Sequence, residues 1–190
     1  MCVSILIQSD CIQSLWIKIP SNFNPILRSI TGLNFFPNYR MPPLRTYRNS
    51  KHIYSVDMMI AYVNIFKHPI TSIPIEEFRS QLHENIWGEK TPLTPMQVIE
   101  KIHLKKYASN AERIHKADLS YPIFVDSTHR ILDGYHRVSK AYIEDKKEIH
   151  AYVFDANLMK KFILVKDLDF EKLYKLSISD FLELWSKHFC

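Results

Sequence analysis

The sequence predicts an α+β protein in which a small mixed sheet is flanked by helices. Runs rich in β-branched residues alternate with segments whose apolar residues recur at helical spacing, and hydrophobic residues make up 46% of the 190-residue chain. The strand-like runs are 121–126, 131–133 and 148–154, and the helical segments are 55–66, 94–105, 109–116 and the stretch after 134. The run 148–154 is predicted to pair beside the run 121–126.

The composition changes at about residue 50. Prolines interrupt every candidate element in residues 1–50, so this part is predicted to be a poorly ordered basic N-terminal arm. Residues 51–190 are predicted to form the folded domain, with two short helices after Asp167 as a C-terminal cover. The first 60 residues contain six Lys and Arg against two Asp and Glu, whereas residues 61–190 contain 19 against 18. Four of the five net positive charges therefore lie in the first 60 residues, and the arm either contacts nucleic acid or an acidic partner, or is a leader with few contacts.

Several classes of protein are excluded or disfavoured by the composition. No run of 18 or more apolar residues is present, so no membrane-spanning helix is predicted. The three cysteines, Cys2, Cys11 and Cys190, lie near the chain ends without a spacing that suggests pairing, which is typical of a reducing compartment. The first seven residues are apolar but too short for a signal-peptide core. A cytoplasmic location is expected.

The segment before the central motif begins with a clear helix at 55–66, opened by Ser55 and ended before Pro69. Residues 72–78 are predicted to be an edge strand, because only an edge tolerates Pro74. Trp87 precedes a glycine in a loop. It either stacks on a nucleotide base or packs in the core or under a lid.

Two further helices follow. Thr94 is a predicted N-cap with proline at the next position, and this helix is predicted to continue to about residue 105. Ser109 and Glu112 form a predicted capping box that opens a helix ending at Lys116. Asp118 then lies just before the first strand of the central motif.

The central motif is a sharp corner between the second strand and a helix. Gly134 is one of only three glycines, which indicates a backbone with positive φ or a close approach. Asp133 is predicted to cap the helix by accepting a hydrogen bond from a first-turn amide. His136 and Arg137 lie in the first turn, and Lys140 lies one turn further on the same polar side. Free amides, the helix dipole and these cationic side chains predict an anion site, with phosphate as the anion.

These residues resemble the ParB/sulfiredoxin superfamily. The resemblance lies in Pro122-Ile-Phe-Val-Asp126, followed by Ile131-Leu-Asp-Gly-Tyr-His-Arg137 and Ala141. Members share a strand, a turn, a D-G-x-H-R or G-x-x-R corner and a helix that holds nucleotide phosphates. The resemblance implies a ParB/sulfiredoxin-like fold. It also implies nucleotide binding by the residues of the corner and the following turn, which are Gly134, Tyr135, His136, Arg137 and Lys140.

Within the superfamily, the corner is closest to the Asp-Gly-His-His-Arg of ParB-like free serine kinases, whose aspartate takes part in phosphoryl transfer. That role falls on Asp133, and the resemblance implies Asp118 as a second catalytic carboxylate. ATP or ADP is then the phosphate donor, a small hydroxyl compound the substrate, and Mg²⁺ a ligand of Asp133 with Asp118 or Asp126. Reduction of sulfinic acids is excluded, because Tyr135 stands where sulfiredoxins have a nucleophilic cysteine.

An alternative function is a nucleotide-binding or DNA-associated module without turnover. Partition proteins carry a DNA-reading domain and a dimerisation domain after the corner, and the stretch after Asn157 is too short to hold both. A nuclease is a third alternative, because ParB-like nucleases share the corner, but nothing else in the sequence favours it. Local alternatives also stay open: Asp118 as a turn cap, His136 as a partner of Asp133, and Arg137 as a surface partner of Glu144 or Asp126.

Overall fold

The computed structural model describes residues 44–88 and 91–189, so residues 1–43 of the predicted arm lie outside the description. The strands are β1 Thr46–Arg48, β2 His52–Ser55, β3 Ile70–Pro74, β4 Ile123–Asp126, β5 Ile131–Asp133, β6 Glu148–Phe154 and β7 Ile163–Lys166. The α-helices are α1 Val56–Phe66, α2 Arg79–Leu82, α3 Pro95–Glu100, α4 Ala108–Lys116, α5 Tyr135–Ile143, α6 Ala156–Lys161, α7 Phe170–Lys175 and α8 Ile178–Phe189.

The chain divides into two compact units, one of them His68–Lys160 and the other made of the residues before and after it. Both units combine sheet and helix, so the predicted α+β class is confirmed. The single predicted sheet is wrong, because the described residues form two sheets. No helix in residues 44–88 or 91–189 is long and apolar enough to cross a membrane.

The unit formed by the two ends of the chain contains an antiparallel sheet in the order β1-β2-β7. Ser55 accepts a hydrogen bond from the amide of Met58 at 3.0 Å and so caps α1, which begins and ends as the sequence predicts. Aromatic side chains of α1 and α8 pack together, with Tyr62 and Trp185 both in ring contact with Phe189. The predicted C-terminal helices are present as α7 and α8.

The unit His68–Lys160, called the central unit below, contains a mixed sheet in the order β3-β6-β4-β5. Strands β4 and β6 are neighbours, as predicted, and their pairing is parallel, whereas the other pairs are antiparallel. The sheet packs against helices through a core whose buried members include Ile73, Phe78, Ile123 and Val138. This core fixes β4 and β5 against α5 and so sets the position of the corner.

Two element boundaries in the central unit differ from the sequence prediction. The predicted strand 72–78 is β3 only to Pro74 and then becomes a short 3₁₀ helix, because Ile75 and Phe78 are both buried and lie three residues apart. The helix predicted for 94–105 is capped by Thr94 but ends at Glu100, where Lys101 leaves the helical conformation with φ −126° and ψ 35°.

The turn between β4 and β5 is held from outside by side chains of the helical segment that follows β3. The buried Gln81 donates to the carbonyl of His129 at 2.8 Å and accepts from the amide of Ile131 at 2.9 Å. Glu77 pairs with His129, and Glu84 forms a two-pronged ion pair with Arg130. β5 lies at the edge of the sheet, and the side chain of Gln81 provides hydrogen-bond partners for backbone groups on this edge.

Candidate anion-binding site

Gly134 is placed at the corner by its backbone and by packing. Its φ is +116°, a conformation that L-residues rarely adopt, so the predicted positive φ is confirmed. A Cβ at this position would lie 2.5 Å from Cγ2 of Ile123 on β4. The close approach is therefore to the neighbouring strand, which brings the start of α5 tightly against the sheet.

The predicted capping role of Asp133 is wrong. Gly134 is the N-cap of α5, and no side chain caps this helix. The carboxylate of Asp133 instead accepts a hydrogen bond from Nη2 of Arg137 at 2.5 Å. Because the carboxylate turns to this guanidinium, the first-turn amides of α5 keep no capping side chain, which is the arrangement that suits an external anion.

Arg137 joins the beginning of β4 to the end of β5. Its Nη1 donates to the carbonyls of Tyr121 at 3.1 Å and Pro122 at 2.6 Å, while Nη2 binds Asp133. Only 18% of the side chain is exposed. The partner is thus neither Glu144 nor Asp126, and the guanidinium is held by protein oxygens whether or not an anion is bound.

Lys140 is turned away from the amino end of its helix. Its Nζ donates to the carbonyls of His115 at 3.0 Å and Ala117 at 2.8 Å and so caps the carboxyl end of α4. It also lines a cavity of about 510 Å³ with Asp118 and Lys146. The sequence predicted that Lys140 lies on the same polar side as His136, but the observed hydrogen bonds of Lys140 are with the carboxyl end of α4.

His136 lies in the first turn of α5 and is stacked on Trp87, with ring centroids 4.6 Å apart and planes at 14°. Its Nε2 is 3.4 Å from Oδ1 of Asn110. Burial, reinforced by the positive charges of Arg113 and Arg137, lowers the pKa of His136 from 6.5 to about 4. His136 is therefore neutral at pH 7, and its partners are Trp87 and Asn110 rather than Asp133.

Helices α4 and α5 run side by side in the same direction. Asn110 in the first turn of α4 meets His136 in the first turn of α5, and the carbonyls at the end of α4 meet Lys140 one turn further along α5. Helix α4 begins after Tyr107 and, like α5, has no side-chain cap. The predicted cap Ser109 lies inside the helix instead. A 3₁₀ turn over Lys105–Tyr107 leads into α4, and the amide of Ala108 donates to the carbonyl of Lys105, so the first-turn amides left without a cap are those of α5. The dipoles of the two neighbouring helices both favour an anion at this place.

The remaining predicted site residues have other partners. Asp118 accepts a hydrogen bond from the amide of Ser120 at 2.9 Å, and its hydrogen bonding with the backbone and side chain of Ser120 lowers the pKa of Asp118. Asp126 accepts from the amides of Thr128 and Arg130 at 2.8 and 3.0 Å within the β4–β5 turn. Asp118 thus has the turn-capping contact that the sequence left open. The structure does not bring Asp118 or Asp126 into contact with Asp133.

The ring of Tyr135 packs against the core, so only its backbone belongs to the first turn of α5. Across residues 44–88 and 91–189, no cluster of three or more His, Cys, Asp or Glu side chains has the arrangement of a metal site. The roles of Asp133, Asp118 and Asp126 toward Mg²⁺ stay predictions.

Sequence reasoning missed the part that α4 contributes. Neither Asn110 nor Arg113 was predicted to belong to the site, and Trp87 was given base stacking only as one of two alternatives. A signal was available: neither position 107 nor position 134 carries Ser, Thr, Asp or Asn, the residues that normally cap a helix. The structure stacks the half-buried ring of Trp87 on His136.

No family model matches the chain, and no curated protein or solved structure matches it. The relationship to the ParB/sulfiredoxin superfamily therefore stays a prediction that rests on residues 121–141.

Proposed function

We propose that the central unit binds the phosphate of a nucleotide at the adjoining amino ends of α4 and α5. The observation that carries the proposal is that the first turns of α4 and α5 meet at Asn110 and His136, and that no side chain caps the first turn of α5. The uncapped amides of α5 and the aligned dipoles of the two helices favour phosphate even without a cation in direct contact.

Positive charge is also concentrated near this place. Arg113 lies on the exposed side of α4 and is close enough to His136 to lower its pKa, and Arg137 acts on His136 in the same way. Because Arg137 is held by Tyr121, Pro122 and Asp133, its contribution is a fixed field rather than a flexible contact. Arg113 is the guanidinium that can turn to the anion.

The binding test is calorimetric titration of the full chain with pyrophosphate and with ATP, ADP, CTP and GTP, each with and without Mg²⁺. We expect saturable binding of at least one nucleotide together with weaker binding of pyrophosphate. If neither pyrophosphate nor any nucleotide binds at millimolar concentration, the proposal is wrong.

Asn110→Asp is the sharpest variant, because it adds a negative charge at the meeting point of the two helices without changing the size of the side chain. We expect affinity for the nucleotide to fall by about tenfold or more, which corresponds to about 1.4 kcal/mol. Folding should be unharmed, because a carboxylate in the first turn of a helix is favourable.

Asn157→Asp is the matched control for this variant. Asn157 lies in the first turn of α6, in the same unit, and its side chain contacts only the exposed Lys160 among the hydrogen bonds of the described residues. Equal loss of affinity in both variants would mean that overall charge, not the position of Asn110, controls binding.

Phosphoryl transfer from the bound nucleotide to a small hydroxyl compound is the second candidate function, and Asp133 is the residue that favours it. Asp133 directly precedes the amino end of α5, and 36% of its side chain is exposed. A Mg²⁺ ion in a nucleotide site commonly needs only one or two protein carboxylates, because water and phosphate oxygens complete its coordination. Asp133 fits such a role.

The assay for this second function is transfer of labelled phosphate from ATP or ADP to a pool of hydroxyl metabolites, with serine tested first. If Asp133 is catalytic, Asp133→Asn should lower transfer by roughly 10² or more while nucleotide still binds. Binding without transfer in the wild-type protein would leave the non-catalytic module as the function.

A further inference from the structure

The basic segment 101–116 is the most unevenly charged surface of the central unit. Residues 68–160 contain 13 Lys and Arg and 13 Asp and Glu, so the unit is neutral as a whole. The segment 101–116 alone contains five Lys and Arg and one acidic residue, Glu112, which leaves eight Lys and Arg against twelve Asp and Glu elsewhere. All five cationic side chains are exposed. Positive charge is therefore concentrated in this segment of the chain.

Most of these cations have no acidic partner. Lys116 pairs with Glu112 at 2.6 Å. In the described ranges 44–88 and 91–189, no carboxylate forms an ion pair with Lys101, Lys105, Lys106 or Arg113. Four neighbouring cations without counter-charges indicate a surface that meets an external polyanion.

The basic segment leads directly to the proposed phosphate site. Lys105 and Lys106 form the 3₁₀ turn that continues into α4, so they lie about 4–6 Å before its amino end along the axis. Arg113 follows on the same helix. A ligand with several phosphates in a row could therefore place one at the amino ends of α4 and α5 and others beside Lys105 and Lys106.

Aromatic residues are also present near the proposed site. Tyr121 is 65% exposed, and its carbonyl accepts a hydrogen bond from Arg137, which lies outside the segment 101–116. Tyr107 is partly exposed, and Nζ of Lys106 lies 4.7 Å from its ring centroid. Rings interleaved with cations are the arrangement that binds unpaired bases together with their backbone.

We infer that the natural ligand of this surface is a single-stranded nucleic acid, with one backbone phosphate at the amino ends of α4 and α5 and the adjoining phosphates along the basic segment 101–116. The inference rests on the proposed function, since it identifies the molecule to which the bound phosphate belongs. It goes further because it assigns the bound phosphate to the backbone of a polynucleotide rather than to a free nucleotide.

The test is fluorescence anisotropy of the full chain with a labelled single-stranded 12-mer, in DNA and RNA form, over a range of salt concentrations. Four cations at the backbone give an expected slope of log K against log salt of roughly −3, at about −0.7 per contact for a single strand. Lys105→Gln with Lys106→Gln should reduce the slope by about 1.4, because two contacts are removed.

Lys146→Gln with Lys147→Gln is the matched control. It removes the same charge from a neighbouring pair of exposed lysines at the opposite end of α5. If both double variants have the same slope, basic residues elsewhere in the chain carry the binding and the inference is wrong. Tighter binding of a duplex than of the single strand would contradict the assignment to a single strand.

ATP titrated into the same variants separates this inference from the proposed function. If ATP binds the wild type and the 12-mer does not, the phosphate site stands and the nucleic-acid inference fails. If the 12-mer binds with a slope that depends on Lys105 and Lys106, the inference is supported. If neither ligand binds, both are wrong.

Discussion

Arg137→Ala tests whether the central arginine of the corner is a structural clamp. The variant removes hydrogen bonds to the carbonyls of Tyr121 and Pro122 and to the carboxylate of Asp133. It leaves these three oxygens without their cationic donor. A hydrogen bond to a charged group contributes about 1.5–3 kcal/mol, and breaking a largely buried ion pair costs about 3–5 kcal/mol. Since 18% of the side chain is exposed, we expect a loss of about 3–4 kcal/mol in the free energy of unfolding.

The assay is urea unfolding of the full chain at pH 7, followed by circular dichroism. Arg79→Ala is the control, because Arg79 pairs with Glu76 at 3.1 Å with more than half of both side chains exposed. An ion pair exposed to this extent contributes little to stability. If Arg137→Ala lowers the free energy of unfolding by less than about 1 kcal/mol, the clamp is refuted, because a substitution at an ordinary surface position has an effect of nearly that size.

Three further predictions concern the same unit. Gly134→Ala should cost about 2–4 kcal/mol by thermal unfolding, because φ is +116° and the new Cβ would lie 2.5 Å from Ile123; an unchanged midpoint would show that the corner can relax. Gln81→Ala should cost about 2–4 kcal/mol, because two backbone groups of the β4–β5 hairpin lose their partner; a change within about 0.5 kcal/mol would show that water replaces the amide. The pKa of His136 is about 4 in the folded chain against 6.5 when unfolded, so its contribution is complete above about pH 6.5 and is lost as the pH falls toward 4. Between pH 7 and pH 4.5, the free energy of unfolding of the wild type should fall by on the order of 2 kcal/mol more than that of His136→Gln, as measured by urea unfolding. Identical pH profiles for the two proteins would contradict the neutral, buried imidazole.

The elements that sequence reasoning identified correctly are those with an unambiguous burial pattern. The β-branched stretches at β4 and β6 are buried in the sheet, and α1 has its apolar stripe and its Ser55 cap. Periodicity records which face is buried, so such segments can be read locally. Their pairing also followed, since β4 and β6 are parallel neighbours.

The boundaries and side-chain partners at the corner could not be read in this way. Asp133 has the residue type of a cap, but Gly134 is the N-cap of α5, and Arg137, four residues after Asp133, binds the carboxylate instead. Lys140 has a helical spacing that suggests the anion side, yet the carboxyl end of α4 takes its ammonium group. These choices depend on which distant backbone carbonyls arrive beside the helix, and that is decided by tertiary packing rather than by local pattern.

The second sheet was missed for a related reason. Strand β1 has three residues and β2 four, and they join β7 from the far end of the sequence. Strands so short carry little alternation, so their pairing with a distant strand has no local signature.

The measurement that tests the central claim most directly is a ¹⁵N–¹H nuclear magnetic resonance titration of the full chain with pyrophosphate. We expect the largest shifts in the first-turn amides of α5, those of Tyr135 and His136, with smaller shifts at Asn110 in the first turn of α4, and we expect all of them to saturate with one affinity. Shifts confined to residues lining the cavity around Lys140 and Lys146, or no saturable shift in either first turn, would contradict the assignment of the phosphate to the joined amino ends of α4 and α5.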